Sequence, residues 1–116
     1  MRSMLPVCRL VGAMSLCMCS VAAVAGQKQG PITSIYIGTS DPGKAFIKVD
    51  GTYTSKPGCS AGVAWDLVFD LTTDTGKALY ALALAAHSSG TVVLAYGTGD
   101  CPRPPYEGLA YLTTNP

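Results

Sequence analysis

Few side chains in this 116-residue chain could carry chemistry, and their spacing decides what they could do. The only histidine is His87, followed by Ser88 and Ser89. A nucleophile needs a base within hydrogen-bond reach and a third group to orient that base. Adjacent helical residues diverge, so neither serine faces the imidazole, and His87 fits a helix C-terminus or a packed position better than a catalytic one. Asp66 and Asp70 are the one acidic pair on a common strand face. Four residues of extended chain separate them by roughly 13 Å, too far for paired glycosidase carboxylates, and they read as solvated, outward charges. Gly97-Thr98-Gly99 looks like a fragment of a phosphate loop but has no helix after it, so it reads as a turn. No metal-ligand spacing is present. Catalysis and bound cofactors are therefore not expected, with an unrecognised hydrolase as the remaining enzymatic alternative.

The five cysteines divide into two groups. Cys8, Cys17 and Cys19 lie in an N-terminal stretch that carries Arg2 and Arg9, then an apolar run, then Ala23-Val24-Ala25 and a polar Gly26-Gln27-Lys28-Gln29. Positive charge, apolar core and a small-x-small end are the order of a secretion signal, so residues 1–25 are expected to be a signal peptide and 26–116 a single mature domain. The apolar run is shorter than the roughly 20 residues a membrane span requires, and no span is expected after cleavage. A lipid-modified Cys19 is the weaker reading, because Met18 is bulky where that signal needs a small residue. Cys59 and Cys101 remain, and in a secreted or periplasmic domain they most simply form a disulfide. Closing a loop of about 43 residues stabilises the fold by roughly 4 kcal/mol in the chain-entropy account. Two free thiols, or half of a metal site, are the alternatives. Without Arg2 and Arg9 the mature chain has six basic and seven acidic side chains. That balance lacks the basic stripe needed for nucleic acid or for an anionic membrane surface.

The elements that must position these residues alternate between two periods. Ile32–Gly38 is β-branched and aromatic and reads as a strand after a loose polar 26–31 segment. Thr39 to Gly43 is a turn, and Lys44–Asp50 alternates, with Ala45, Ile47 and Val49 inward and Phe46 outward. A long polar loop follows to Gly62. Val63–Leu71 reads as a third strand with Val63, Trp65, Leu67, Phe69 and Leu71 on its inner face. Thr72-Thr73-Asp74 offers N-caps, Lys77–Ser89 is a helix rich in alanine and leucine, and Gly90 is its C-cap. This helix is apolar almost all round, so more than one side should be covered. Thr91–Tyr96 and Leu109–Thr113 complete five strands. A mainly β chain with one helix, in the order β-β-β-α-β-β, is the order of a small OB-like Greek-key barrel.

Two surfaces remain as candidate binding sites. Tyr36 and Phe46 fall on outward faces of the first hairpin, where aromatic rings could stack on a sugar or fill a protein interface; the alternative is that the register of one strand is inverted and the two rings are core. The loops between strands one and two and between strands four and five, which line ligand sites in OB folds, carry Thr39, Ser40 and Asp41, and Arg103 and Tyr106 within Cys101 to Glu107. Hydroxyl, carboxylate, guanidinium and phenol groups suit a polar ligand such as a glycan.

Taken together, the export signal, the opening strand ITSIYIG, the cysteine before strand three, the helix KALYALALAAHSSG running directly into TVVLAYGTGDC, and the short last strand resemble the B subunits of AB5 toxins of the subtilase-cytotoxin and typhoid-toxin type and small secreted bacterial proteins related to them. The resemblance covers most of the mature domain. It implies an OB fold, a ring-shaped homopentamer and binding of sialylated or other cell-surface glycans; no sugar-contacting residue is carried over from that family. The expected function is thus a non-catalytic secreted binding module for a cell-surface glycan or a protein partner. The main alternative is an envelope inhibitor or interaction domain that uses the proline-stiffened 101–107 loop, since a rigid loop loses less entropy on binding.

Overall fold

The computed structural model describes residues 24–115. The leader features at Arg2, Arg9, Cys8, Cys17, Cys19 and Ala23 lie outside them. Five strands and one helix follow the expected order: β1 (Gln27–Tyr36), β2 (Lys44–Val49), β3 (Leu67–Asp70), α1 (Asp74–Ser89), β4 (Val92–Gly97) and β5 (Glu107–Thr113). The sheet closes on itself as β1-β2-β3-β5-β4. Only β3 and β5 run parallel; every other pair is antiparallel.

Closure depends on β1, which is longer than the sequence indicates. Residues 27–31, expected to be loose, pair with β4 from Gln27 opposite Tyr96 to Pro31 opposite Val92. The second half of the same strand pairs with β2, from Ile32 opposite Val49 to Tyr36 opposite Phe46, with a register irregularity between Ile32 and Ser34. Glutamines and a lysine have modest strand propensity, so the pairing is set by neighbours rather than by the segment itself. Its period-two burial shows the same thing: Lys28 and Gly30 are buried while Gln29 is exposed.

The barrel interior is filled by Ile32, Ala45, Ile47, Val49, Leu67, Phe69, Val93, Ala95, Leu109 and Leu112, with Ala83 and Ala86 from α1. The inward set expected for β2 is therefore correct. For the third strand it holds at Leu67 and Phe69, and Leu71 just beyond β3 packs partly buried against the same core; it fails at Val63 and Trp65, because the strand begins at Leu67 and not at Val63. Val63 is 88% exposed, and Trp65 sits on the outside of the barrel against Tyr36.

Thr73 caps α1, its hydroxyl accepting from the Gly76 amide, and Gly90 ends the helix at φ 69° in the left-handed region. The helix buries one stripe, Gly76, Ala83 and Ala86, with Leu79, Tyr80 and Leu82 partly covered. The expectation of cover on several sides does not hold: Ala81, Leu84 and Ala85 are exposed. Alanine is chosen there for helix propensity, which needs no burial. Gly76 allows the first turn to lie against the end of β3, since a Cβ there would stand 1.6 Å from the carbonyl oxygen of Asp70. Helix propensity alone favours Gly76→Ala by about 1 kcal/mol. The backbone contact should win, and the variant is expected to lose a net 1–3 kcal/mol, on the order of other overpacked sites, read as a lower urea midpoint at unchanged slope.

Candidate functional site

The two loops singled out in the sequence do meet. The Arg103 guanidinium donates to Asp41 from 2.5 Å, and a second of its nitrogens donates to the carbonyl of Pro104 at 2.6 Å. The Tyr36 and Ser40 hydroxyls lie 3.2 Å apart. Phe46 is on the outer face of β2, as its alternation indicates, yet it is only 1% exposed. Tyr106 covers it edge-on at 5.4 Å, and Tyr36 packs beside it at 5.8 Å. The reading of Phe46 as an exposed ring is thus corrected: a folded-back loop hides it. Thr39 is exposed in the turn.

The loop that covers Phe46 is held from several directions. The disulfide Cys59–Cys101 spans a Cα separation of 6.1 Å. The amides of Ala61 and Gly62 both donate to the carbonyl of Pro105. Trp65 stacks on Tyr36 with centroids 5.2 Å apart and planes 17° apart. Of the predicted residues, Tyr36, Ser40, Asp41, Phe46, Arg103 and Tyr106 are therefore brought into one cluster, but most of their polar groups are satisfied by one another.

A second group went unrecognised in the sequence. Asp66, expected to be a solvated charge, is buried: a bend at Asp66 ahead of β3 turns it inward. Lys28 of β1 donates to it at 3.0 Å, and the Val49 amide at 2.7 Å. Asp70 does point outward, where it accepts from the amide and hydroxyl of Thr72; those bonds hold its carboxyl below the usual range. Glu107, placed by the sequence at the end of a ligand-binding loop, is instead the first residue of β5 and has no exposed surface. It accepts from the Tyr53 hydroxyl at 2.5 Å, the Gly26 amide at 3.0 Å and the Gly99 amide at 2.8 Å. His87 donates from Nδ1 to the Ile32 carbonyl at 2.8 Å, fastening the helix end to β1. Among the described residues, no group of three or more His, Cys, Asp or Glu could hold a metal ion.

The surface with the most unspent recognition chemistry lies on the opposite side, on the outer face of β1, β4 and β5. Gln27 is directly across from Tyr96, and Tyr96 from Tyr111. The two tyrosine rings stack with centroids 4.7 Å apart. Beside them opens a cavity of about 300 Å³ lined by Gln27, Gln29, Thr52, Thr54 and Leu94. Among the described residues neither glutamine side-chain amide has an intramolecular partner. Amides that both donate and accept and hydroxyls in the lining, with aromatic rings beside it, make a neutral, polyhydroxyl-compatible surface.

Comparison with protein-family models, with curated proteins and with solved structures returned no match.

The geometry of the buried cluster carries a pH dependence. Burial, and then the hydrogen bond to Glu107, push the Tyr53 phenol well above its ordinary value of 10.0. The unfolded chain therefore loses this proton at a pH where the folded chain still holds it. The associated stability is complete below pH 10 and is lost as pH rises further. Tyr53→Phe should remove that alkaline component from a plot of unfolding free energy against pH. At neutral pH it should cost about 1–3 kcal/mol, because Glu107 loses a donor in the interior.

Proposed function

We propose that this protein is an exported, non-catalytic binding module of OB-like architecture whose ligand is a neutral glycan held on the outer face of β1, β4 and β5. The observation that carries this reading is the stacked Tyr96–Tyr111 pair beside a cavity lined in part by Gln27 and Gln29, whose side-chain amides have no partner among the described residues. A pyranose ring presents an apolar C–H face to an aromatic ring and hydroxyls at its rim. The tyrosines suit the first and the glutamines and threonines the second. The strand order 1-2-3-5-4 with a helix between the third and fourth strands supports the OB-like reading. The Cys59–Cys101 bridge supports an oxidising destination, which agrees with residues 1–25 being a signal peptide. A homo-oligomeric ring, as in the B subunits of AB5 toxins, would multiply a weak single-site affinity.

A second reading has its own observation. Pro102, Pro104 and Pro105 are exposed on a loop pinned by the disulfide and by the Asp41–Arg103 pair, the form of a preorganised protein-binding wedge. A glycan array probed with the exported protein separates the two. Sugar hits that Tyr111→Ala weakens by about tenfold, the order of one stacking contact, are the expected result. Tyr111 is 48% exposed, so its loss should leave folding intact. An array without hits, together with loss of a protein contact on Arg103→Ala, would transfer the function to the loop.

A further inference from the structure

The carboxylate of Glu107 is wholly buried, and each of its three donors is neutral: the Tyr53 hydroxyl and the backbone amides of Gly26 and Gly99. Among the described residues the ion pairs are Lys28–Asp66 and Arg103–Asp41, and neither cation is shared with Glu107. A buried carboxylate without a cation is costly even when it is hydrogen-bonded. One of the three donors, however, belongs to a special position. Gly26 directly follows Ala23-Val24-Ala25, the small-x-small sequence that ends the leader. Val24 and Ala25 are exposed while Gly26 is buried, so the chain dives inward at this peptide bond.

The cradle around Gly26 is closed to any side chain. A Cβ on Gly26 would stand 2.4 Å from the Tyr53 ring and 2.6 Å from Oε1 of Glu107. A Cβ on Gly97 would stand 2.0 Å from Oε2 of the same carboxylate. The Gly26 carbonyl accepts from the Gly97 amide at 2.8 Å, which holds the nitrogen in place 3.0 Å from Glu107.

We propose that cleavage between Ala25 and Gly26 completes this buried cluster, by placing the new α-ammonium group of Gly26 against Glu107 as its missing counterion. The inference rests on the reading of residues 1–25 as a cleaved leader. In the hydrolysis the Ala25–Gly26 C–N bond breaks. Water gives its oxygen to the Ala25 carbonyl carbon, forming a carboxylate, and both its protons go to the Gly26 nitrogen. An amide N–H that donates one neutral hydrogen bond thereby becomes a cation at the same atom. A charge-assisted hydrogen bond is about twice as strong as a neutral one. Among the described residues Glu107 has no counterion before cleavage, and after cleavage the Gly26 ammonium supplies one. Export and final stability become coupled at a single atom, and glycine is the residue that position 26 requires.

The test begins with the full chain expressed for export. Intact-mass analysis of the processed protein should give a chain starting at Gly26. Brief treatment of the folded protein with an amine-acetylating reagent should modify the exposed Lys56 and Lys77 and spare the α-amine. A version that retains one extra residue, Ala25, has an amide at Gly26 in place of the ammonium. Its unfolding equilibrium constant in urea should be at least tenfold larger, and in a Glu107→Gln background the two versions should agree within about twofold. If Glu107→Gln does not fold, the acetylation pattern and the Ala25-extended version still decide the matter. A processed chain starting elsewhere overturns both the leader boundary and the proposal. A start at Gly26 with coincident urea curves, or with an α-amine as reactive as Lys56, overturns the ion pair alone and leaves the leader reading standing.

Discussion

The barrel is sealed at its shortest seam by one carboxylate. β3 and β5 pair in parallel at only two register positions, Leu67 with Glu107 and Val68 with Gly108. Parallel pairing is slightly less stable per residue than antiparallel, and two positions make a weak join. Glu107 stands at this join and gathers the segment before β1, the loop before β3 and the turn after β4 through Gly26, Tyr53 and Gly99. The neighbouring Lys28–Asp66 pair ties β1 to the same end, with Asp66 also capping the Val49 amide of β2. Apolar packing alone would fill the interior without fixing which loops lie against which. These polar groups are satisfied by partners from distant segments, and among the described residues no buried side-chain polar atom is left without a partner.

Much of this architecture is legible in the sequence, and what is not has identifiable causes. Alternation finds β2 because Ala45, Ile47 and Val49 face a core while Lys44 and Lys48 meet solvent. The helix, its Thr73 cap and its Gly90 stop follow from local chemistry. The first half of β1 does not, since Gln27, Lys28 and Gln29 form a strand only because β4 is there to pair with them. Asp66 shares an apparent outward face with Asp70, but a bend ahead of Leu67 breaks that period. Glu107 carries no local mark of burial; its environment comes from positions 26, 53 and 99, all distant in the chain.

The candidate sites show the same division. The loops of residues 39–41 and 101–106 are recognisable as neighbours from strand order alone, and they do meet. Whether meeting leaves their groups free depends on geometry, and here Asp41 consumes Arg103 while Tyr106 is spent on Phe46. The Gln27–Tyr96–Tyr111 row is spread over three strands that are far apart in the chain, and it becomes visible only once their registers are known. A period-two pattern in Gln27-Lys28-Gln29 is the one sequence signal that could have pointed to it.

The segments around Cys59 and Cys101 lie outside the closed sheet, as a clasp whose Tyr106 covers Phe46. The interior cluster of the barrel contains none of the clasp residues. The sulfur bridge therefore joins two parts of the cover to each other rather than one wall of the barrel to another. In a reducing compartment the clasp would loosen first, baring the Phe46 ring on the outer face of β2, with Tyr36 of β1 beside it, while the sheet stayed shut. Such a molecule would be sticky without being unfolded, so an intact sulfur bridge guards against self-association as much as against denaturation.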